Sequence, residues 1–425
     1  MKSLLSVEEA KHLLLESFFP GKIEKLPLTQ SNGRILAEDI ISPIDLPLFD
    51  NSSMDGYAIR AGDVATGTAD NPITLKVVAD IPAGQVSPVR LKSGEAIRIM
   101  TGAPLPKGAD AVVPIEDTDR FQQEEQTGRS VPDEVKVFKP IKRGDYIRTR
   151  AQDVRNGEKV LPRRMRLKPQ DIGFLAMLGI HQVPVFQRPR VALISTGDEL
   201  LPVEAPLRPG KIHESNAYAL SALIQRDGGL SVDLGIAPDR EQSVREILER
   251  AVSSHSDLLL SSAGVSVGAF DFVRKVIEKD GGLEFWRVNM RPGKPLVFGK
   301  YREVPFIGLP GNPVSAFIGY EVFVRPVIMK MTGLYDYRRP TIRVKLLEEV
   351  ESDGRESYLR AMVSLKRGVW LARLTGHQGS GNLRSLVQAN ALLIIPSGVK
   401  SQPAGSEVDA WFLGDFNEVD FTEDD

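Results

Sequence analysis

Three acidic residues carry the first chemical signal. Glu199 closes the run Ser195-Thr196-Gly197-Asp198-Glu199, Asp239 closes Ala237-Pro238-Asp239, and Asp271 follows the small-residue stretch Ser261–Gly268. Each comes just after an apolar, strand-like segment. Carboxylates distant in sequence can meet when their strands are neighbours in one sheet. With phosphate oxygens and water, they satisfy a hard divalent ion such as magnesium. Helix capping is the competing use for Asp239 and Asp271. Arg287, Arg291 and Lys294 flank Pro292-Gly293 after another strand-like run. These cations can hold a phosphate or an oxyanion, against the alternative of a solvated basic turn.

Bare backbone supplies the second signal. In Ser261-Ser262-Ala263-Gly264-Val265-Ser266-Val267-Gly268, hydroxyls alternate with very small residues. Successive N–H groups there can form an anion nest, reinforced by the helix that follows. The order required of a P-loop is absent. Thr196 offers a hydroxyl, and Gly197 permits close approach of a ligand. The run Gly308–Ala316 joins an apolar strand to a helix through two glycines and two prolines. Pro310 and Pro313 stiffen the turn, Gly311 leaves its backbone open, and Asn312 stands at the N-cap. In Asn51–Ala58, Asp55 is either a chemical group or the holder of a turn against Gly56.

Strand ends are where such groups belong in an α/β protein, and residues 190–333 have that pattern. Apolar strands at Val191–Ser195, Val232–Ile236, Leu258–Ser261, Phe285–Val288 and Val304–Leu309 alternate with amphipathic helices. Strands without polar alternation predict a mostly parallel sheet covered on both faces: a three-layer α/β domain over residues 184–333. Upstream, Ser6-Val7-Glu8-Glu9 reads as a capping box opening a helix. Short strands and Gly/Pro turns over 46–140 predict a small inserted β domain. Residues 141–183 return to the texture of 1–45, which predicts a discontinuous N-terminal domain. Five short strands over 338–414 predict a barrel-like β domain, and 415–425 is an acidic tail.

Composition narrows the class. The 425 residues are 42% hydrophobic and 26% charged, with formal net charge −2. That balance fits a globular chain and argues against nucleic acid as a partner. There is no cysteine and only 5 histidines, so any metal is expected on carboxylates. No apolar run is long enough for a bilayer, and the first residues lack a signal-peptide pattern. A cytoplasmic enzyme with no membrane association is expected.

Taken together, the chain resembles the molybdopterin molybdenumtransferase family, which includes bacterial MoeA and the E domain of gephyrin. The resemblance covers nearly the whole chain. It rests on SSMDGYA at Ser52–Ala58, MTGAPLPKGADAVVP at Met100–Pro114, STGDEL at Ser195–Leu200, SAGVSVGAFDF at Ser262–Phe272, RPGKP at Arg291–Pro295 and GLPGNPVSA at Gly308–Ala316. GHQGSGNLRSL at Gly376–Leu386 and ANALLIIP at Ala389–Pro396 add to it. It implies four domains, the α/β one being similar to molybdopterin adenylyltransferases. It also implies a homodimer whose active site is shared between subunits, and transient contact with a molybdopterin adenylyltransferase and with cofactor-accepting proteins. The implied reaction places molybdenum from molybdate on adenylylated molybdopterin and releases AMP, with Mg2+ as the cation. By family position, Asp55, Glu199, Asp239, Asp271, Arg287 and Arg291 fall in the catalytic set, with Glu199, Asp239 and Asp271 on the metal. Thr101, Thr196, Gly197, Asn216, Ser262, Gly264, Val265, Ser266, Gly268, Lys294, Pro310, Gly311, Asn312 and Pro313 fall in the ligand-binding set. Asp145 matches a further family acid. The chain departs from the family at Arg287 and Arg291, where lysine is common, and at Ala263, where glycine is. Adenylyl transfer to molybdopterin and a non-catalytic scaffolding role are the alternatives. Molybdate and tungstate share charge and nearly share size, so the residues do not separate them.

Overall fold

The computed structural model describes residues 4–121, 131–263, 272–334 and 336–414. The chain divides into two compact units. One runs to Glu38, takes in Arg164–Pro169 and resumes from Gln182 onward; the other holds Asp39–Arg163 and Gln170–His181.

In the first unit a six-stranded sheet lies at the centre. Its strands are β1 (Arg190–Thr196), β2 (Leu230–Ala237), β3 (Leu258–Ser262), β4 (Gly281–Arg287), β5 (Pro295–Tyr301) and β6 (Val304–Leu309), in the order 2-1-3-6-5-4. Neighbours from β2 to β6 run parallel, while β5 is antiparallel to both β6 and β4. By that double reversal β4 points the same way as the parallel strands. Strand β5 was not foreseen from sequence. Its apolar run follows Lys294-Pro295, and the basic turn masked its onset.

Alternate residues of the central strands feed two separate cores. Val191 and Leu193 of β1, Leu258 and Leu260 of β3, and Ile307 and Leu309 of β6 join one core. It also contains Leu220, Leu223 and Ile224 of helix α1 (Asn216–Arg226). Ala192, Ile194, Leu259 and Phe306 join the other. That side is covered by helices α2 (Glu241–Ser253) and α3 (Phe272–Asp280), through Val244, Ile247, Leu248, Val273 and Val276. The first core extends to Val7, Ala10 and Leu14 of the N-terminal helix Val7–Glu16. There Ser6 and Glu9 form the reciprocal capping box. Each buried Val, Leu, Ile or Phe of these cores contributes roughly 1.5–3 kcal/mol by leaving water. The three-layer α/β arrangement expected from the sequence is therefore present.

Past β6, helix α4 (Pro313–Gly319) continues through a π-helical turn, Tyr320–Val324, into the helix Arg325–Met331. Glu321 in that turn has no side-chain exposure. It accepts from Arg226 at 2.8 and 3.2 Å and pairs with Arg339, which leads into the last domain. That domain is a closed five-stranded barrel. Glu356–Lys366 pairs with both Val369–Leu374 and Ala391–Ile395, and Ile342–Leu346 and Glu407–Phe412 complete the ring. Its strands coincide closely with the five read from sequence.

The second unit contains a five-stranded sheet in the order Ala111–Pro114, Gly56–Ile59, Glu95–Ile99, Ile73–Ile81, Glu134–Val137. Tyr57, Leu75, Val77, Val113 and Val135 fill its core. A Cβ on Gly56 would sit 2.0 Å from the Val113 carbonyl oxygen, so only glycine fits between those strands.

Removing Glu321 leaves Arg339 nearly buried without its acid. Glu321→Ala should therefore cost about 3–5 kcal/mol. Urea denaturation should show this as a lowered midpoint; a loss under 1 kcal/mol would mean that the network does not hold the barrel linker.

Candidate functional site

From β1 the chain crosses to β2 on one side and then to β3 on the other. Strand order reverses between β1 and β3, and in open α/β sheets ligands bind at the carboxyl ends of strands beside that point. Thr196 and Ser262 end the two flanking strands. Register places Ser195 opposite Ser262, Thr196 opposite Ala237, and Ser262 opposite Leu309. Thr196, Gly197, Asp239, Ser262 and the run Pro310–Pro313 thus meet at one sheet edge. Because β4 runs with the parallel strands, Arg287 and the turn to Lys294 leave at the same edge.

The hydroxyls at this edge are not all satisfied. The Thr196 Oγ1 and Ser261 Oγ are buried with no hydrogen-bond partner among the described residues. A buried hydroxyl without a partner is costly, and a ligand seated in the crevice would relieve it. The carboxylates are crowded. Asp239 N–H donates to Asp198 Oδ1 at 3.2 Å. Burial pushes the Asp239 carboxyl above its ordinary range, and the negative charges of Asp198 and Glu199 push it the same way. Gly197 has φ +152°, and a Cβ there would lie 2.8 Å from each Glu199 carboxylate oxygen. The glycine is thus what lets Glu199 fold back over the strand end.

The platform at α4 is braced from two sides. Asn216 Nδ2 donates to the Gly311 carbonyl at 2.8 Å. Asn312 occupies the N-cap position, but its side chain makes no capping bond. Its Nδ2 donates instead to Ser380 Oγ at 3.0 Å, while Val314 N–H donates to the Ser380 carbonyl at 3.1 Å. Pro313 fills the first helical position, as expected. Ala263 adopts φ +85°, and a Cβ on Gly311 would come within 3.1 Å of the Ala263 methyl. The alanine therefore occupies a backbone conformation that favours glycine, and its methyl faces the space that Gly311 leaves open.

Around the cations, the short strand Met290–Arg291 pairs with Glu356–Ser357 of the barrel. Arg291 lies near Arg360, which is fully buried in the barrel wall. Burial, with the nearby Arg291 charge, pulls the Arg360 guanidinium down to about 10. Its bonds run to the carbonyls of His377, Gln378 and Gly379 at 3.4, 3.2 and 3.0 Å and to Ser385 Oγ at 3.1 Å. Those contacts hold the loop that presents Ser380 to Asn312.

In the second unit Asp55 and Thr101 come together although 46 residues apart. The backbone N–H and hydroxyl of Thr101 each donate to Asp55 Oδ1 at 2.7 Å. Asp145 accepts from Lys142 N–H at 2.8 Å and closes a turn. Gly264, Val265, Ser266, Gly268 and Asp271 lie outside the described residues. Among the described residues, no group of three or more His, Asp or Glu side chains is placed to hold a metal.

Sequence reading missed Glu214, Arg360 and Ser380. A carboxylate two residues before a helix start, in Glu214-Ser215-Asn216, and one arginine inside an otherwise apolar strand are signals that point to the first two. Nothing in the sequence marks Ser380 as a partner of Asn312.

Comparison with known proteins gives three family matches. Residues 5–179 match the MoeA N-terminal region (domain I and II), 192–330 a probable molybdopterin binding domain, and 343–413 the MoeA C-terminal region (domain IV). Molybdopterin molybdenumtransferase 2 of Mycobacterium tuberculosis is 38% identical over 96% of this chain and 99% of its own. Molybdopterin molybdenumtransferase of Nostoc sp. is 38% identical over 91% of this chain and 87% of its own. Two crystal structures of molybdopterin biosynthesis MoeA protein from Pyrococcus horikoshii superpose with TM-scores of 0.82 and 0.78, at 32% and 33% identity. They cover 97% and 96% of this chain and 100% of theirs.

Two substitutions test the site's backbone. Ala263→Gly should relieve the left-handed strain and stabilise the protein by about 0.5–1 kcal/mol, net of the entropy glycine adds to the unfolded chain. A lower urea midpoint would show the conformation to be unstrained. Gly197→Ala should leave the fold intact by circular dichroism while displacing Glu199 and lowering turnover by at least about tenfold.

Proposed function

Because the chain belongs to the molybdopterin molybdenumtransferase family, we propose that it inserts molybdenum from molybdate into adenylylated molybdopterin with release of AMP. One observation supports this most strongly. Stretches spread over more than a hundred residues, Thr196–Gly197, Asp239, Ser262 and Pro310–Pro313, converge at one strand-order reversal, with unpartnered hydroxyls and crowded carboxylates.

Each group has work suited to it. Thr196 and Ser262 supply hydroxyls to the substrate, and Gly197 and Gly311 admit it to the backbone. Pro310 and Pro313 keep the platform rigid, so little entropy is lost on binding. Arg287, Arg291 and Lys294 draw the oxyanion to this edge, and fixed cations stabilise charge without reorganisation. Departure of AMP breaks one P–O bond, with water supplying the new oxygen. The substrate's two thiols then replace oxide on molybdate, which leaves as water.

The donors here are all hard oxygens, and Asp239 is half-buried beside two carboxylates of its own sign, Asp198 and Glu199. This fits a divalent cation. Glu199 and Asp239 would hold it, with Asp271 as the third carboxylate read from sequence. Magnesium, when bound, supplies positive charge against the phosphates. Assembly as a homodimer belongs to the same reading, with Asp55 and Thr101 supplied to each active site by the other subunit. So do transient contact with a molybdopterin adenylyltransferase and a cytoplasmic setting. Among the described residues, no helix is long and apolar enough to cross a membrane.

A single-turnover assay with adenylylated molybdopterin and magnesium, with and without molybdate, tests the reaction. AMP release coupled to active cofactor is expected, and chelation or Asp239→Ala should abolish it. Full activity after chelation would remove magnesium from the scheme, and binding without AMP release would favour a scaffolding role. For the shared site, Asp55→Ala and Asp239→Ala proteins should each be inactive. Denatured and refolded together, they should regain about a quarter of wild-type activity, because half the random dimers carry one intact site of two.

A further inference from the structure

We propose that Glu214 is a positioning residue for the crevice between β1 and β3, setting both the polarity of the hydroxyls along it and the seat of the helix end that braces its platform. The activity arm of the proposal rests on the transferase reading; the geometric arm does not. Glu214 lies outside the motifs that carry the family match and is only 4% exposed.

Its first effect passes through hydroxyls. Ser195 Oγ lies 3.2 Å from Glu214 Oε1 and 3.4 Å from Ser262 Oγ. An ionised carboxylate only accepts hydrogen bonds. Ser195 therefore spends its proton on Glu214, and the Ser262 proton must turn toward Ser195. Ser262 is left with lone pairs for whatever binds above it. Because Ser195 and Ser262 are register partners, this chain also ties β1 to β3 where the crevice opens.

The second effect passes through α1. Ser215, at the N-cap, makes no side-chain capping bond. Glu214 takes over: its Oε1 and Oε2 accept from Ala217 N–H at 2.9 and 3.1 Å. A negative charge also suits the helix N-terminus. The helix start is thereby fixed with Asn216 at its first position, 2.8 Å from the Gly311 carbonyl. One buried carboxylate thus links β1, β3, α1 and the turn before α4.

An ordinary cap would not need this residue. An exposed serine satisfies a helix end without desolvating a charge. Burial pushes the Glu214 carboxyl above its usual range, so the position carries a cost that capping alone does not explain. A cavity of about 450 Å³ beside it, bordered by Ser195, Ala217, Tyr218 and Asp233, leaves room for water to enter if the side chain is shortened.

The experiment compares full-length wild type, Glu214→Ala, Glu214→Gln and Ser195→Ala. Amide hydrogen exchange is followed over 215–219 and 308–316 without ligand, alongside KM and kcat for adenylylated molybdopterin. Glu214→Ala should speed exchange in both segments and raise KM by about tenfold or more, with kcat changed less than about threefold, the mark of lost positioning in substrate binding. Glu214→Gln retains an acceptor for Ala217 N–H, so it should restore slow exchange while recovering KM only in part. Ser195→Ala should raise KM with exchange unchanged. Wild-type KM and exchange in Glu214→Ala would overturn the proposal. So would a lowered kcat and melting temperature at constant KM, which marks a merely structural residue. If Glu214→Ala does not fold, the other two variants decide by the same readouts. If wild type turns over nothing, the transferase reading fails, and the exchange arm alone decides the link from Glu214 to the platform.

Discussion

Strands β1, β3 and β6 are closed off on both faces by apolar side chains, and much of the structure follows from that enclosure. Val191 and Leu193 point into one core while Ala192 and Ile194 point into the other. No polar side chain can sit along such a strand without losing water on whichever side it faces. Polar groups are therefore confined to the strand ends. At the carboxyl end, themselves buried, come Ser195, Thr196, Ser261 and Ser262. The crevice forms where strand order reverses, because the chain leaves β1 toward α1 on one face and leaves β3 toward α3 on the other, so the two connections part at the carboxyl edge.

Charged side chains of this unit, buried or half-buried, serve distinct ends. Glu321 meets two arginines and is fully compensated. Its burial fixes the π-helical turn against α1 and the linker to the barrel. Arg360 is buried and donates to three carbonyls and a serine hydroxyl. Its geometry is directed at one loop, the one that reaches Asn312. Asp239 is different again: its neighbours Asp198 and Glu199 share its sign. A fold does not gain stability by crowding like charges, and this is the arrangement expected where a cation or substrate supplies the missing charge.

The barrel is more than an appendage to the α/β layers. Its Ser380 is bonded to the platform residue Asn312, and its strand Glu356–Lys366 pairs with Met290–Arg291 in the basic turn. Both sequence-predicted features of the platform edge, the rigid turn and the cations, are thus held by barrel residues. The unit acts as one scaffold, which accounts for a family match that runs through all of its regions rather than stopping at the α/β domain.

Much of this was legible in the residues. Unbroken apolar runs at Val191–Ser195 and Leu258–Ser261 determined buried parallel strands, because a strand covered on both faces cannot alternate. The turn chemistry of Gly308–Pro313 determined a rigid strand-to-helix junction, and the succession of short strand-like runs over 338–414 pointed to the barrel strands. Local signals of this kind depend only on neighbours in the chain. What the tertiary structure alone decided is pairing across distance. Asn312 was placed correctly at its helix start, yet it bonds Ser380 rather than its own helix, since a side-chain amide serves either partner equally well. Asp55 and Thr101 were both named, but only folding joined them. Glu214 and Arg360 went unnamed because their burial comes from elements far along the chain, and desolvation, which turns an ordinary charge into a structural device, is a property of the folded interior and not of any short stretch of sequence.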